Sequence, residues 1–380
     1  KMSGKRLHLN TILSSQKLDL RPLSSKDARE SGGAGQSHKK ERTLDRLFPN
    51  DPLAMDVLNY ADAKIKIQAT RILMPQLALN DLETHMVIED GHLKVKSFKA
   101  GISGGELEGR MDFCPHGKAV ELAVSLKIGG FELGRMFKDL ELKDTVEGKV
   151  NAEIDLHGSG GSVAALMAGI NGKMIVVMGK GRIDNKYIDL LGADLSVGIM
   201  RFLNPFKDKT GYTEVNCFVS RFDIKNGLAD ITVLLFDTIH MVVVGHGKIN
   251  LKTEGLDLAL HPSPKKGIGT GSTGTLSISL GELTRSFKLV GTLANPSLSI
   301  DTRQMGITLG KAVGGVMLLG PVGIASVLAG SSSGDEDLCL VAMEAVEKGV
   351  KVSSDIKKKD GVLKKAKNGI GSALKTLLGD

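Results

Sequence analysis

Tryptophan is absent from this 380-residue chain, tyrosine occurs three times, and aromatic residues together make up 4%. A surface that stacks nucleic-acid bases needs aromatic faces, so the composition argues against nucleic acid as a partner. Cysteine is scarce too. Cys114, Cys217 and Cys339 are odd in number, far apart and form no C-x-x-C pair. Neither a disulfide framework nor a thiolate metal site is expected from them. Proline is low at 10 residues, whereas glycine reaches 47. That balance suits many tight turns and argues against a mostly helical chain. No signal peptide is visible. The first residues, KMSGKRLHLN, already alternate polar and apolar, and residues 1–29 read as leading strands that continue from an earlier part carrying any anchor.

What the chain has is a polarised charge and a strong period of two. The formal net charge is +7, but from Lys348 onward nine Lys face three Asp, a net +6, leaving +1 for the first 347 residues. Between these limits apolar and polar residues alternate, the signature of half-buried strands. From Val146 to His157 the small or apolar set is Val146, Gly148, Val150, Ala152, Ile154 and Leu156, and every residue between them is polar. The same split runs through Lys64–Ala69, Glu106–Phe113 and Val120–Ile128. Turn signals at Asp90-Gly91, Gly104-Gly105, His116-Gly117 and Gly129-Gly130 recur every 12 to 14 residues, as in an antiparallel meander. Later signals are Asn226-Gly227 and Glu254-Gly255, a strand stop at Pro262, and a strand pair Ser286–Leu293 and Ser297–Asp301.

Other segments break the pattern. Ser162 is placed to cap a short helix over Val163–Ala168, with Leu166 and Met167 inward. A helix is also expected near 186–203, where Ile188, Leu191, Leu195, Ile199 and Phe202 form an apolar stripe before Pro205. Residues 30–52 read as a Gly/Ser/charged linker, 53–302 as the β-rich body and 303–334 as an apolar Gly-rich segment. Within the last of these, Ala312–Gly330 carries no charge over 19 residues, close to the length of a membrane span, but its glycines and Pro321 equally suit a buried hairpin. Residues 335–380 form a basic tail whose Val362, Leu363, Ala366, Ile370, Ala373, Leu374 and Leu377 share one side of a possible amphipathic helix. Its lysines, among them Lys357, Lys358, Lys359, Lys364, Lys365 and Lys367, make it a candidate for an anionic membrane surface, with a solvated tail as the alternative.

Catalytic patterns fail on context. Gly101-Ile102-Ser103-Gly104-Gly105 matches the G-x-S-x-G of a nucleophile elbow, which needs a helix after the serine. The residues that follow, ELEGRMDF, alternate as a strand, which puts Ser103 in a hairpin turn. Gly269–Gly274 matches G-x-G-x-x-G but leads into alternating Leu276, Ile278 and Leu280, not a helix N-terminus. The nine histidines are scattered with no metal-ligand spacing. No enzyme activity, cofactor or metal is expected.

A long run of strands, polar on one side and apolar on the other, must bury the apolar side in a sandwich, a barrel, or a trough that holds something greasy. About 20 strands would make a trough on the order of 100 Å long. Its lining would be aliphatic, suited to acyl chains and equally to an ordinary core.

Several stretches carry a family resemblance: Leu47–Phe113, Leu126–Phe137 (LKIGGFELGRMF), Val146–Leu195, Val215–Leu260 and Gly291–Thr302 (GTLANPSLSIDT). Together they resemble the C-terminal periplasmic region of the AsmA family of Gram-negative envelope proteins, related to TamB- and YhdP-type bridge-like lipid transfer proteins. The resemblance implies a mainly β fold, an elongated, curled antiparallel sheet forming a groove, with a few short helices. It implies an inner-membrane anchor before this region, a periplasmic location and a role in outer-membrane biogenesis. It supplies no catalytic motif. The implied function is shielding of phospholipid acyl chains, with Ile65, Ile67, Leu107, Met111, Leu122, Val124, Leu126, Val150, Ile154 and Leu156 as groove candidates. The alternative is a periplasmic scaffold for outer-membrane proteins that binds no lipid.

Overall fold

The two-residue alternation becomes fourteen strands in a single sheet whose spatial order is the chain order, β1 to β14. The computed structural model describes residues 6–21, 46–53, 55–74, 77–140, 146–184, 211–239, 241–264, 287–300 and 338–348. The strands are β1 (Leu7–Asp19), β2 (Ala61–Leu73), β3 (Ala78–Glu89), β4 (His92–Ile102), β5 (Gly105–His116), β6 (Ala119–Glu132) and β7 (Val146–Gly160). They continue as β8 (Asn171–Asp184), β9 (Tyr212–Lys225), β10 (Leu228–Thr238), β11 (Met241–Asn250), β12 (Gly255–Pro264), β13 (Phe287–Thr292) and β14 (Pro296–Ile300). The helices are α1 (Leu133–Asp139), α2 (Val163–Gly169) and α3 (Leu338–Lys348), with a 3₁₀ turn at Asp56–Asn59. The sheet is curled and does not close. Fourteen described strands at ~4.8 Å spacing run about 60 Å, shorter than the length expected from the sequence.

Every neighbouring pair is antiparallel except β1 and β2, which run parallel in register from Leu7↔Ala61 to Asp19↔Leu73. The turn chemistry explains the rest. Asp90-Gly91, Ser103-Gly104 and Asn226-Gly227 each place both residues at positive φ, as two-residue hairpins require. Gly129-Gly130 is not a turn. Both residues lie inside β6, where Gly130 at φ +64° makes a bulge between Ile128 and Phe131 and its N–H donates to Asn151 Oδ1 at 2.8 Å. Nor does β12 stop at Pro262. It continues to Pro264 beside β11, because β13 pairs only Gly255–Leu260. Beyond Leu260 that flank is an edge among the described residues, where a proline's missing N–H costs no ladder bond. Ser162 caps α2, its Oγ accepting from the Ala165 N–H at 3.1 Å, and Leu166 is buried.

Registers define two faces. One row crosses the whole sheet: Leu13, Ile67, Thr84, Phe98, Gly109, Leu126, Ile154, Met174, Phe222, Ile231, Gly247, Leu258, Leu289 and Leu298. No member is charged. The opposite face carries cross-strand ion pairs such as Lys94–Asp112, Lys99–Glu108, Lys127–Glu153 and Lys173–Asp155. These pairs are solvent-exposed, so they mark the outside more than they stabilise it.

The outer face turns apolar at β8–β11, where α3 packs on it. Val177, Cys217, Val219, Val233, Leu235, Val242 and Val244 form a core with Ala342, Met343 and Val346. A bulge in β10 makes this possible: Ile231 pairs with Phe222, but Val233 pairs with Arg221. The extra residue shifts Val233 and Leu235 to the face opposite Ile231. Cys217 is disulfide-bonded to Cys339 on α3, correcting the expectation that the cysteines form no bridge; the two are 122 residues apart in sequence and only the fold brings them together. Arg221 Nη1 donates to the Val346 carbonyl at 2.6 Å at the other end of the helix.

Candidate functional site

All ten groove candidates lie on the uncharged face. Ile65, Met111, Val124 and Leu156 sit in one transverse row with Met86 and Val95. Ile67, Leu126 and Ile154 belong to the row that spans the sheet, and Leu107 continues through Ile128 to Ala152. Leu122 pairs with Phe113, and Val150 with Phe131. The register therefore unites residues up to 91 positions apart, from Ile65 to Leu156, on one surface.

Their exposure is the informative quantity. Each of the ten is half-buried, whereas Val219 and Leu235 beneath α3 are 0% exposed. Among the described residues the strands form one continuous sheet, each next to its ladder neighbours, that curls without closing. Toward one margin the wall tightens into a cluster of Ala69, Ile72, Leu79, Leu82, Ala100 and Ile102, against which Ile67, Phe98, Leu107 and Phe131 pack.

The opposite margin carries a strap. Residues Arg46–Leu53, at the end of the stretch read as a linker, run from the β11–β12 turn toward α2. The Leu47 and Phe48 N–H groups donate to the Glu254 carboxylate at 2.6 and 3.1 Å, and Arg46 Nε lies 3.2 Å from it. Further on, Ala164 N–H donates to the Pro49 carbonyl, Leu53 N–H donates to that of Gly161, and Pro52 bridges Ser162. Glu254 is fully buried. Burial alone would raise its pKa, but the two backbone N–H groups and the Arg46 guanidinium outweigh it, and the carboxyl titrates below its ordinary value.

Ser103 sits at φ +41° in the β4–β5 turn, and among the described residues its buried hydroxyl has no hydrogen-bond partner. Among the described residues no three His, Cys, Asp or Glu side chains gather as a metal site, and no helix is long and apolar enough to cross a membrane. The 186–203 helix, Gly269–Gly274, Ala312–Gly330 and the tail lysines Lys357, Lys358, Lys359, Lys364, Lys365 and Lys367 lie outside the described residues. The sequence reading overlooked α3, although Leu338, Ala342, Ala345 and Val346 recur at helical spacing. It also overlooked Glu254 as an anchor, for which no sequence signal exists.

The sequence profile of the AsmA family matches residues 2–234. The chain is similar to the AsmA family protein YhjG of Escherichia coli (strain K12), with 24% identity over 337 residues that cover 87% of this chain and 47% of that protein. It thus spans about half the length of this curated relative. No solved structure matches it. Family membership suggests an envelope-associated role. The profile match extends through most of the sheet, from β1 into β10, and on that ground the chain belongs to the AsmA family.

Proposed function

We propose that this chain is a non-enzymatic envelope protein whose curled sheet shields lipid acyl chains, serving phospholipid movement between the inner and outer membranes. The observation that carries the reading is the uncharged row across all fourteen described strands, half-buried along most of its length and buried at Thr84, Ile231 and Leu258. A monomer that leaves so long an apolar strip open to water gains by filling it. At about 60 Å the strip is roughly four times the ~15 Å depth of one leaflet's hydrocarbon, room for several acyl chains. Each buried CH₂ contributes about 0.8 kcal/mol without directional contacts, so headgroups stay in water and binding is tolerant of headgroup type. The Cys217–Cys339 disulfide supports an oxidising compartment such as the periplasm, since such bonds are rare in reducing cytosol.

Native mass spectrometry with lipid extraction on the folded chain tests this. Several phospholipids per chain, in proportions near those of the host membrane, are expected. Val124→Asp and Ile154→Asp place a charge in the strip and should abolish the bound lipid; folded variants with wild-type loading would remove the groove assignment.

One observation favours a second reading, a scaffold for outer-membrane proteins. Among the described residues no strand pairs with the outer flank of β1, and Leu7, Leu9, Ile12 and Leu13 are 60%, 47%, 67% and 51% exposed. Such an edge accepts an added strand. Cross-linking through β1 to a specific envelope protein, with no lipid in the groove, would put this reading first.

A further inference from the structure

A carboxylate is buried beside the Cys217–Cys339 bridge, on the face of the sheet away from the groove. Asp237 is 5% exposed. It pairs directly with Cys217 across β9 and β10, a position that sets their Cβ atoms about 5 Å apart. Its Oδ2 also lies 4.0 Å from Cys339 Sγ on α3. The side chain therefore stands against both cysteines of the bridge. Asn216 Nδ2 donates to the same Oδ2 at 2.9 Å. An asparagine at 237 could accept that bond without the cost of a buried charge, so the bond does not account for a carboxylate here.

The two cysteines are unlike. Cys217 is 4% exposed and sits among Val219, Leu235 and Val242, whereas Cys339 is half-buried and its neighbour Leu340 is 40% exposed. An incoming disulfide meets Cys339 first. Only a thiolate attacks sulfur, and apolar surroundings disfavour the thiolate, so closing the bridge from Cys217 needs a base beside it. We infer that Asp237 takes the proton of the buried Cys217 thiol as the bridge closes. This corner of the outer face is then a thiol–disulfide exchange site whose co-reactant is the disulfide of an oxidoreductase.

The exchange runs in two steps. The Cys339 thiolate, its proton lost to solvent, attacks the incoming disulfide, forming a mixed disulfide and releasing one thiolate. Cys217 Sγ then bonds to Cys339 Sγ while its proton passes to Asp237, and the second thiolate leaves with the electron pair of the broken mixed bond. The two cysteines lose two electrons, the incoming disulfide gains them, and Asp237 returns its proton to the departing thiolate. Reversal opens the bridge. Other ionisable groups on the packed elements lie farther along. Lys180 of β8, Glu214 of β9 and Glu347 of α3 are exposed. Arg221, four residues along β9 from Cys217, is engaged with Asp223 and the Val346 carbonyl. His246, four residues along β11 from the Val242 that pairs with Asp237, stacks on His261 of β12 with ring centroids 5.2 Å apart.

The test uses the full chain with Cys114→Ser, reduced and then mixed with glutathione disulfide as the probe. Acid quenching and peptide mass mapping should find glutathione on Cys339, then its loss as the bridge closes. With Asp237 as the base, the closing rate should change little between about pH 6 and pH 8. In Asp237→Asn it should be slower by on the order of a hundredfold near pH 6 and rise about tenfold per pH unit, as a thiolate-limited step does. Hydrogen exchange in α3 of the oxidised variant checks that the helix keeps its place. The profile of the Cys114→Ser chain with Asp237 intact stands as a test even where Asp237→Asn does not fold: a rise of about tenfold per unit there would overturn the inference. Glutathione held on Cys217, or a folded Asp237→Asn chain that closes as fast or is slowed equally at every pH, would overturn it as well.

Discussion

Removing the Cys217–Cys339 bond is the sharpest perturbation the structure offers. The two cysteines are 122 residues apart. Closing a loop of that length removes roughly 16 cal/mol/K from the unfolded chain, about 5 kcal/mol at 25 °C in the chain-entropy account. For 380 residues an unfolding entropy of ~2.1 cal/mol/K per residue converts this into a fall in Tm of roughly 6 °C. The loss should not be uniform. Without the bond, α3 is held by Leu338, Ala342, Met343, Ala345 and Val346 and by the Arg221–Val346 hydrogen bond. Hydrogen exchange in α3 and on β9 and β10 should therefore accelerate before the sheet at β2–β7 is affected. The assay pairs thermal unfolding with exchange on Cys217→Ser/Cys339→Ser, alongside thiol counting on the native protein. One free thiol is expected, that of Cys114. Three titratable thiols, or an unchanged Tm and α3 exchange in the double variant, would refute the argument.

Glu254→Gln keeps the shape of the strap anchor but removes the charge that Leu47, Phe48 and Arg46 address; it should cost about 2 kcal/mol and expose the strap to protease. The Glu254 carboxyl titrates lower folded than unfolded, so its contribution is present above its unfolded pKa and is lost as pH falls through the folded value. An acid-unfolding profile of wild type that steepens there, and flattens in Glu254→Gln, would show it. Ser103→Ala deletes a buried hydroxyl that bonds to nothing, so Tm should stay within about 1 °C or rise, with lipid loading unchanged; lost loading would revive a chemical role for the serine. Ile67→Asp tests the strip where it meets the Ala69–Ile102 cluster, and should cost both lipid and stability, whereas Val124→Asp should cost lipid with little stability.

The sequence by itself determined the periodicity and therefore the faces. Alternation in 64–69, 106–113, 120–128 and 146–157 placed Ile65, Leu107, Val124 and Ile154 on one side because side chains in a strand alternate by geometry, whatever the strand pairs with. Asp90-Gly91 and Asn226-Gly227 were legible as hairpins for an equally local reason, the positive φ that these residues tolerate. Non-local pairing left no such trace. Gly129-Gly130 carries the same letters as a turn, yet becomes a bulge because Asn151 of the next strand takes up the freed Gly130 N–H. The β10 bulge moves Val233 and Leu235 to the other face, so a single unbroken alternation serves the groove at Ile231 and the α3 core two residues later. Cys217 and Cys339, and Glu254 with Leu47, meet only once the sheet has stacked and curled, since 122 and 207 residues separate them. That the sheet curls without closing was likewise decided by how the strands stack side by side, which no window of alternating residues encodes.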